Sequence, residues 1–111
     1  MPFINENNLK QNEIAPGFLA RFIHTEAITI AYVSIKSGSV LPEHSHVQVQ
    51  ITQVIEGKLE LTVDGEAQVL EAGKIAVIPS NTKHSAIARS ECKVIDVFNP
   101  VREDYKALSE K

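Results

Sequence analysis

Short runs of β-branched and apolar residues, each cut off by a turn signal, dominate the chain and leave almost no room for helix. Residues 27–35 read "AITIAYVSI", and residues 50–70, "QITQVIEGKLELTVDGEAQVL", hold three such runs separated by "EGK" and "DG". Asp-Gly between two β-prone runs is a strong two-residue hairpin signal, and Gly57 and Gly65 are read as turn residues. After Gly73 the run "IAVIP" stops at Pro79, "HSAIA" follows the polar turn "SNTK", and "CKVIDVF" stops short of Pro100. The tail "VREDYKALSEK" has helix-forming composition and predicts one or two helical turns. Many short strands with frequent turns predict an all-β antiparallel sandwich or barrel with a short C-terminal helical turn.

A chain of 111 residues is long enough for one core and too short for two, so residues 1–111 are read as a single domain. Net charge is −3 and the 11 Lys and Arg are scattered, which argues against a nucleic-acid partner. The longest apolar run falls far short of the ~20 residues that span a bilayer. The N-terminal "MPFINENNLK" lacks the basic and apolar regions of a secretory signal, so a cytoplasmic location without membrane attachment is expected. Cys92 is the only cysteine. It is read as a small apolar strand residue, in keeping with a reducing compartment.

Histidines then stand out against this β background in "GSVLPEHSHVQVQ", residues 38–50. On a strand, side chains alternate between faces, so residues 44, 46, 48 and 50 are expected on one side. His44 and His46, with a donor from the same strand and another from elsewhere, suit a divalent transition metal. Taken by themselves, two surface histidines near a loop explain the pair at least as well. His24 has no neighbour at metal spacing and reads as a strand-end residue, and Glu43 reads as a solvated loop charge.

Two spaced patterns resemble the motifs of the cupin superfamily. The first, at 38–57, has Gly38, five residues, His44-Ser45-His46, three residues, Gln50, six residues and Gly57, with Gln50 standing where that family has Glu. The second, at 73–88, has Gly73, Pro79, Asn81, His84 and Ala88, with Asn81 and Ala88 in place of Gly and Asn. Asn81 is a mild change, because Asn tolerates the left-handed backbone of a tight turn. The resemblance implies a double-stranded β-helix, or jelly-roll barrel, holding one divalent metal (zinc, nickel, iron or manganese) through His44, His46, Gln50 and His84. Gln48 competes with Gln50 for the fourth place. A neutral amide beside three neutral imidazoles leaves the ion its full charge, which favours anionic oxygen ligands.

Residues 96–104, "DVFNPVRED", raise a second question. Asp96 shares a strand face with Cys92, Val94 and Phe98, and a carboxylate among apolar residues needs a partner. Arg102 is one candidate, as a structural pair; it can equally grip a substrate carboxylate. The small size, the metal-set Gln and the tail Asp-x-Phe-x-Pro-x-Arg-Glu-Asp-Tyr resemble the pectin-degradation-type cupins, which convert cyclic unsaturated uronates into linear keto forms. That resemblance implies catalytic Asp96 and Arg102, with Phe98 and Arg102 contacting an anionic sugar substrate. A metal-dependent dioxygenase and a non-catalytic sugar-binding cupin are the alternatives. Because so small a barrel leaves sheet edges that a second copy commonly covers, a homodimer is expected.

Overall fold

The computed structural model describes residues 2–110. Among them ten strands run in chain order: β1 (Asn12–Ala15), β2 (Phe18–His24), β3 (Thr29–Ile35), β4 (Val40–His44), β5 (Val49–Glu56), β6 (Leu59–Val63), β7 (Glu66–Leu70), β8 (Ile75–Ile78), β9 (His84–Ala88) and β10 (Cys92–Asn99). An α-helix, α1 (Glu103–Ser109), follows them. The strands form two antiparallel sheets, ordered β1-β2-β3-β10-β5-β8 and β4-β9-β6-β7. Strands from the two halves of the chain interleave in both, which is the jelly-roll barrel.

Period-two burial shows why these segments are strands. In β3, Thr29, Ala31, Val33 and Ile35 are buried while the residues between them are partly open, and β2 and β9 alternate in the same way. The buried set meets between the sheets, where Phe18, Phe22, Val54, Leu59, Ile78 and Phe98 form the centre of one core. Cys92 belongs to that core, and burial raises its thiol pKa.

The two glycine turns behave differently. Asp64 and Gly65 both have positive φ, 49° and 82°, as a tight two-residue hairpin turn requires, and they join the paired strands β6 and β7. Gly57, with φ of 87°, closes no hairpin: β5 lies in the six-stranded sheet and β6 in the other, so the chain changes sheets there. A methyl group at Gly57 would overlap the Glu91 carbonyl oxygen and approach Cys92 Cα to 3.0 Å.

A second change of sheet corrects the single-strand picture of the histidines. His44 ends β4 in the four-stranded sheet, residues 45–48 belong to no strand, and Gln50 lies in β5 of the six-stranded sheet. The residues approach because both sheets turn those side chains toward the barrel interior. No helix among the described residues is long and apolar enough to cross a membrane.

Candidate functional site

Cross-strand register assembles the site. His44 and His84 are direct partners across β4 and β9, with ring centroids 4.2 Å apart. His46, in the connection to β5, sits 4.9 Å from His84 and 5.8 Å from His44 between ring centroids. Its carbonyl accepts the Asn81 N–H at 2.8 Å, tying the connection to the turn before β9. Asn81 has φ of 59°, the left-handed conformation expected for a residue standing in for glycine.

Tautomers follow from the hydrogen bonds. His44 Nδ1 lies 2.8 Å from the Pro42 carbonyl, His46 Nδ1 3.0 Å from that of Gln48, and His84 Nδ1 2.8 Å from that of Thr82. A carbonyl only accepts, so each Nδ1 carries the proton, and in the neutral ring each Nε2 presents a bare lone pair. Ligand atoms of the three rings lie within 4.8 Å of one another. Burial, with neighbouring positive charge, keeps His46 below its usual pKa, and burial pushes His84 down to about 4. Those two rings are therefore neutral at pH 7.

Two observations test whether a cation fits. His84 Nε2 is buried and has no hydrogen-bond partner among the described residues, a costly state for a polar atom unless something binds it. Gln50 Oε1 lies 3.1 Å from His46 Nε2, and with the proton on Nδ1 this contact brings two acceptors together. A positive ion between such atoms reconciles both. Gln48 turns elsewhere, its amide donating to the Val101 carbonyl at 3.3 Å, so Gln50 is the glutamine that faces the rings. The set can hold a divalent metal, and its nitrogen and amide-oxygen donors suit transition ions.

On the other side of Gln50 a buried chain leads to Asp96. Gln50 Nε2 donates to Thr52 Oγ1 at 2.9 Å, and Thr52 Oγ1 donates to Asp96 Oδ1 at 2.7 Å. Thr52 and Asp96 are direct partners across β5 and β10, as are Gln50 and Phe98. Burial outweighs the bonds from Thr52 and Gln50 and the nearby Arg102 charge, raising the Asp96 pKa to about 6.

Arg102 does not pair with Asp96. Its Nε and Nη2 donate to the two carboxylate oxygens of Asp104 at 2.9 and 2.7 Å, while its guanidinium lies 3.9 Å from the Tyr105 ring centre and 4.8 Å from that of Phe98. The structural Asp96–Arg102 pair is thus replaced by Asp96–Thr52 and Arg102–Asp104. The difference is local geometry: the first turn of α1 carries Asp104 back over Arg102, whereas Thr52 already sits opposite Asp96 in the sheet.

His44, Gln50, His84, Asp96, Phe98 and Arg102 line one interior cavity of about 40 Å³. Thr52 and Tyr105 line it as well and were not singled out from the sequence. Alternation from Gln50 along β5 points to Thr52. Tyr105 had no such signal, because its place depends on how α1 docks, with its ring stacked 4.9 Å from Phe22. His24 lies outside the cavity, bonded to Thr29 and Ser109, and Glu43 is exposed.

Comparison with known proteins agrees with this geometry. The family model described as "Cupin domain" matches residues 31–98. The "Pectin degradation protein KdgF" of Dickeya dadantii (strain 3937) is 27% identical over 96 residues, covering 84% of this chain and 87% of that protein. The solved structure of KdgF from Halomonas sp. superposes with a TM-score of 0.85 at 32% identity, covering 93% of this chain and 96% of the other. A shorter match, 42% identical over 57 residues, spans 50% of this chain and 17% of "Quercetin 2,3-dioxygenase" from Bacillus subtilis (strain 168). With the barrel, the converging imidazoles and these matches together, the chain belongs to the cupin domain family.

Proposed function

We propose that the chain binds one divalent transition metal through His44, His46, Gln50 and His84 and converts a small unsaturated uronate from its cyclic to its linear keto form. The observation that carries this reading is the convergence of three imidazoles, with ligand atoms within 4.8 Å of one another, on the Gln50 amide oxygen, beside a cavity that His44, His84 and Gln50 line together with Asp96, a carboxylate with a raised pKa. Likeness to two KdgF proteins supports the substrate class. Bound there, the metal supplies positive charge that attracts carboxylate and hydroxyl oxygens.

The remaining work falls to side chains. The conversion is an isomerisation: a ring hydroxyl gives up a proton, the ring C–O bond opens, and a carbon of the enol gains a proton as the ketone forms. No oxidant enters. Asp96, raised toward neutrality, accepts and returns that proton. Arg102 meets the substrate carboxylate, and Phe98, whose ring lies against His46 at 5.7 Å, walls the cavity. A cavity of about 40 Å³ is well short of the ~150 Å³ that accommodates benzene. Only substrate oxygens enter it, and the sugar ring stays at the mouth. We place the activity in the cytoplasm, where a lone thiol stays reduced.

The direct test is to load the protein with metal and follow an unsaturated uronate by NMR as enol signals give way to keto signals. Asp96→Asn should bind the sugar without converting it, and His44→Ala/His46→Ala should retain no metal after dialysis against a chelator. Full turnover by Asp96→Asn would remove that residue from the mechanism. A dioxygenase, favoured by the 57-residue match, would instead consume oxygen. Sugar binding with no chemical change in the parent protein would leave a binding module.

A further inference from the structure

Gln50 stands where the resemblance leads one to expect a glutamate, and the reason lies on the side of the residue away from the histidines. We propose that Thr52 is the positioning residue of the site: its hydroxyl proton is committed to Asp96, and this forces the residue at 50 to be an amide with its carbonyl oxygen turned toward the imidazoles.

Each link sets the polarity of the next. The Asp96 carboxylate only accepts, so the single Thr52 proton goes to Oδ1 at 2.7 Å. Thr52 Oγ1 is then an acceptor for anything else, and it receives Gln50 Nε2–H at 2.9 Å. With its nitrogen held there, the amide directs Oε1 toward His46 Nε2, 3.1 Å away. The backbone enforces the arrangement, since Thr52 and Asp96 are direct cross-strand partners and Gln50 and Thr52 are buried on the same face of β5. A glutamate at 50 can donate only if it holds a proton, whereas the amide of Gln50 always carries its N–H. Where it holds none, two buried carboxylates compete for one hydroxyl proton, and one of them faces a bare oxygen lone pair. Thr52 thus couples Asp96 to the glutamine that faces the imidazoles, alongside the direct bond from Gln50 to Asp96.

Reversing the polarity tests the wiring without metal. In metal-free protein at neutral pH, Gln50→Glu should lower the melting temperature. Adding Asp96→Asn should recover most of the loss, because the amide introduced at position 96 can donate to Thr52 Oγ1 and free the Thr52 proton for the carboxylate introduced at position 50. If the double variant melts at the sum of the two single shifts, the proposal fails. Where Gln50→Glu does not fold at all, recovery of folding by the second change supports the wiring and continued failure to fold overturns it.

The metal arm rests on the proposed metal site and uses cobalt(II), whose visible spectrum reports its coordination. Thr52→Val should bind Co²⁺ about 10- to 100-fold more weakly than the parent protein. Thr52→Ser should restore both affinity and spectrum, and in a Gln50→Ala background Thr52→Val should have no further effect. Parent-like affinity in Thr52→Val, or a loss that persists in Gln50→Ala, would overturn the role of Thr52. A parent protein that takes up no cobalt would sink the metal site itself, and the melting cycle would still decide the hydrogen-bond wiring.

Discussion

Arg102 shows what a single residue can and cannot reveal. Sequence placed it near Asp96, yet only the docked first turn of α1 supplies Asp104 as its partner. Removing Arg102 strands Asp104, whose side chain is 61% exposed and stays hydrated, so the penalty of an abandoned buried charge does not arise. Arg102→Ala should therefore cost about 1–2 kcal/mol, mainly the stacking on Tyr105 and Phe98, as read by thermal melting. Turnover should fall far more steeply than stability. Asp104 carries its own pH signature, because the bond from Arg102 holds its carboxyl below the usual carboxylate range. A folded pKa below the unfolded ~3.9 means that stability is present above pH ~4 and lost as pH falls through the folded value. Asp104→Asn should flatten the acid-side fall in melting temperature, with a loss at neutral pH larger than an exposed ion pair gives, because the Arg102 side chain is only 10% exposed and loses its charge partner. An unchanged acid limb would show that the pair contributes nothing to folding.

Elements divide sharply into those that announce themselves and those that do not. β3, β6, β7, β9 and β10 follow from β-branched alternation and turn residues, and the Asp-Gly hairpin forms where expected. β1 and β2 at the N-terminal end lacked so clear a pattern, since "FLARFIH" combines aromatic, basic and small residues whose burial is decided by β3 beside them. Gly57 looked like Gly65 in sequence, although one changes sheets and the other turns a hairpin. Substitution separates them. Gly65→Ala meets no atom and should cost only the ~1–2 kcal/mol of a left-handed alanine. Gly57→Ala adds a collision with the backbone of Glu91 and Cys92, and its measured loss by denaturant unfolding should clearly exceed that of Gly65→Ala. Equal losses would mean that the crossing is looser than this packing.

At the scale of the whole molecule, the outer face of the six-stranded sheet is apolar where β5 meets its edge strand β8. Ile51 and Val77 are direct cross-strand partners, 42% and 63% exposed, and Val49 and Ile75 extend the patch without a charged side chain. We propose a second copy of this chain as its occupant: a neutral face can meet its own two-fold image without burying a charge, and the pairing would also cover the β8 edge. Sedimentation at micromolar concentration should give twice the 12.2 kDa of one chain. Val77→Asp should give monomers that still bind metal. A monomeric parent, or a dimeric Val77→Asp, would place this face in solvent.

Strand periodicity and turn residues were enough to predict an antiparallel sandwich or barrel, because alternation and left-handed turns are properties of the local chain. The resemblance carried by Gly38, His44, His46, Gln50, Gly57 and His84 narrowed this to a jelly-roll and nominated its histidines. Partnership was decided by the tertiary structure. Residues 45–48 cross from one sheet to the other, so His44 meets His84 and Gln50 meets Thr52 and Phe98 only when both sheets close. Burial then assigns the charge states, leaving His84 Nε2 bare and raising Asp96. Proton ownership and desolvation depend on atoms distant in sequence, and no reading along the chain contains them.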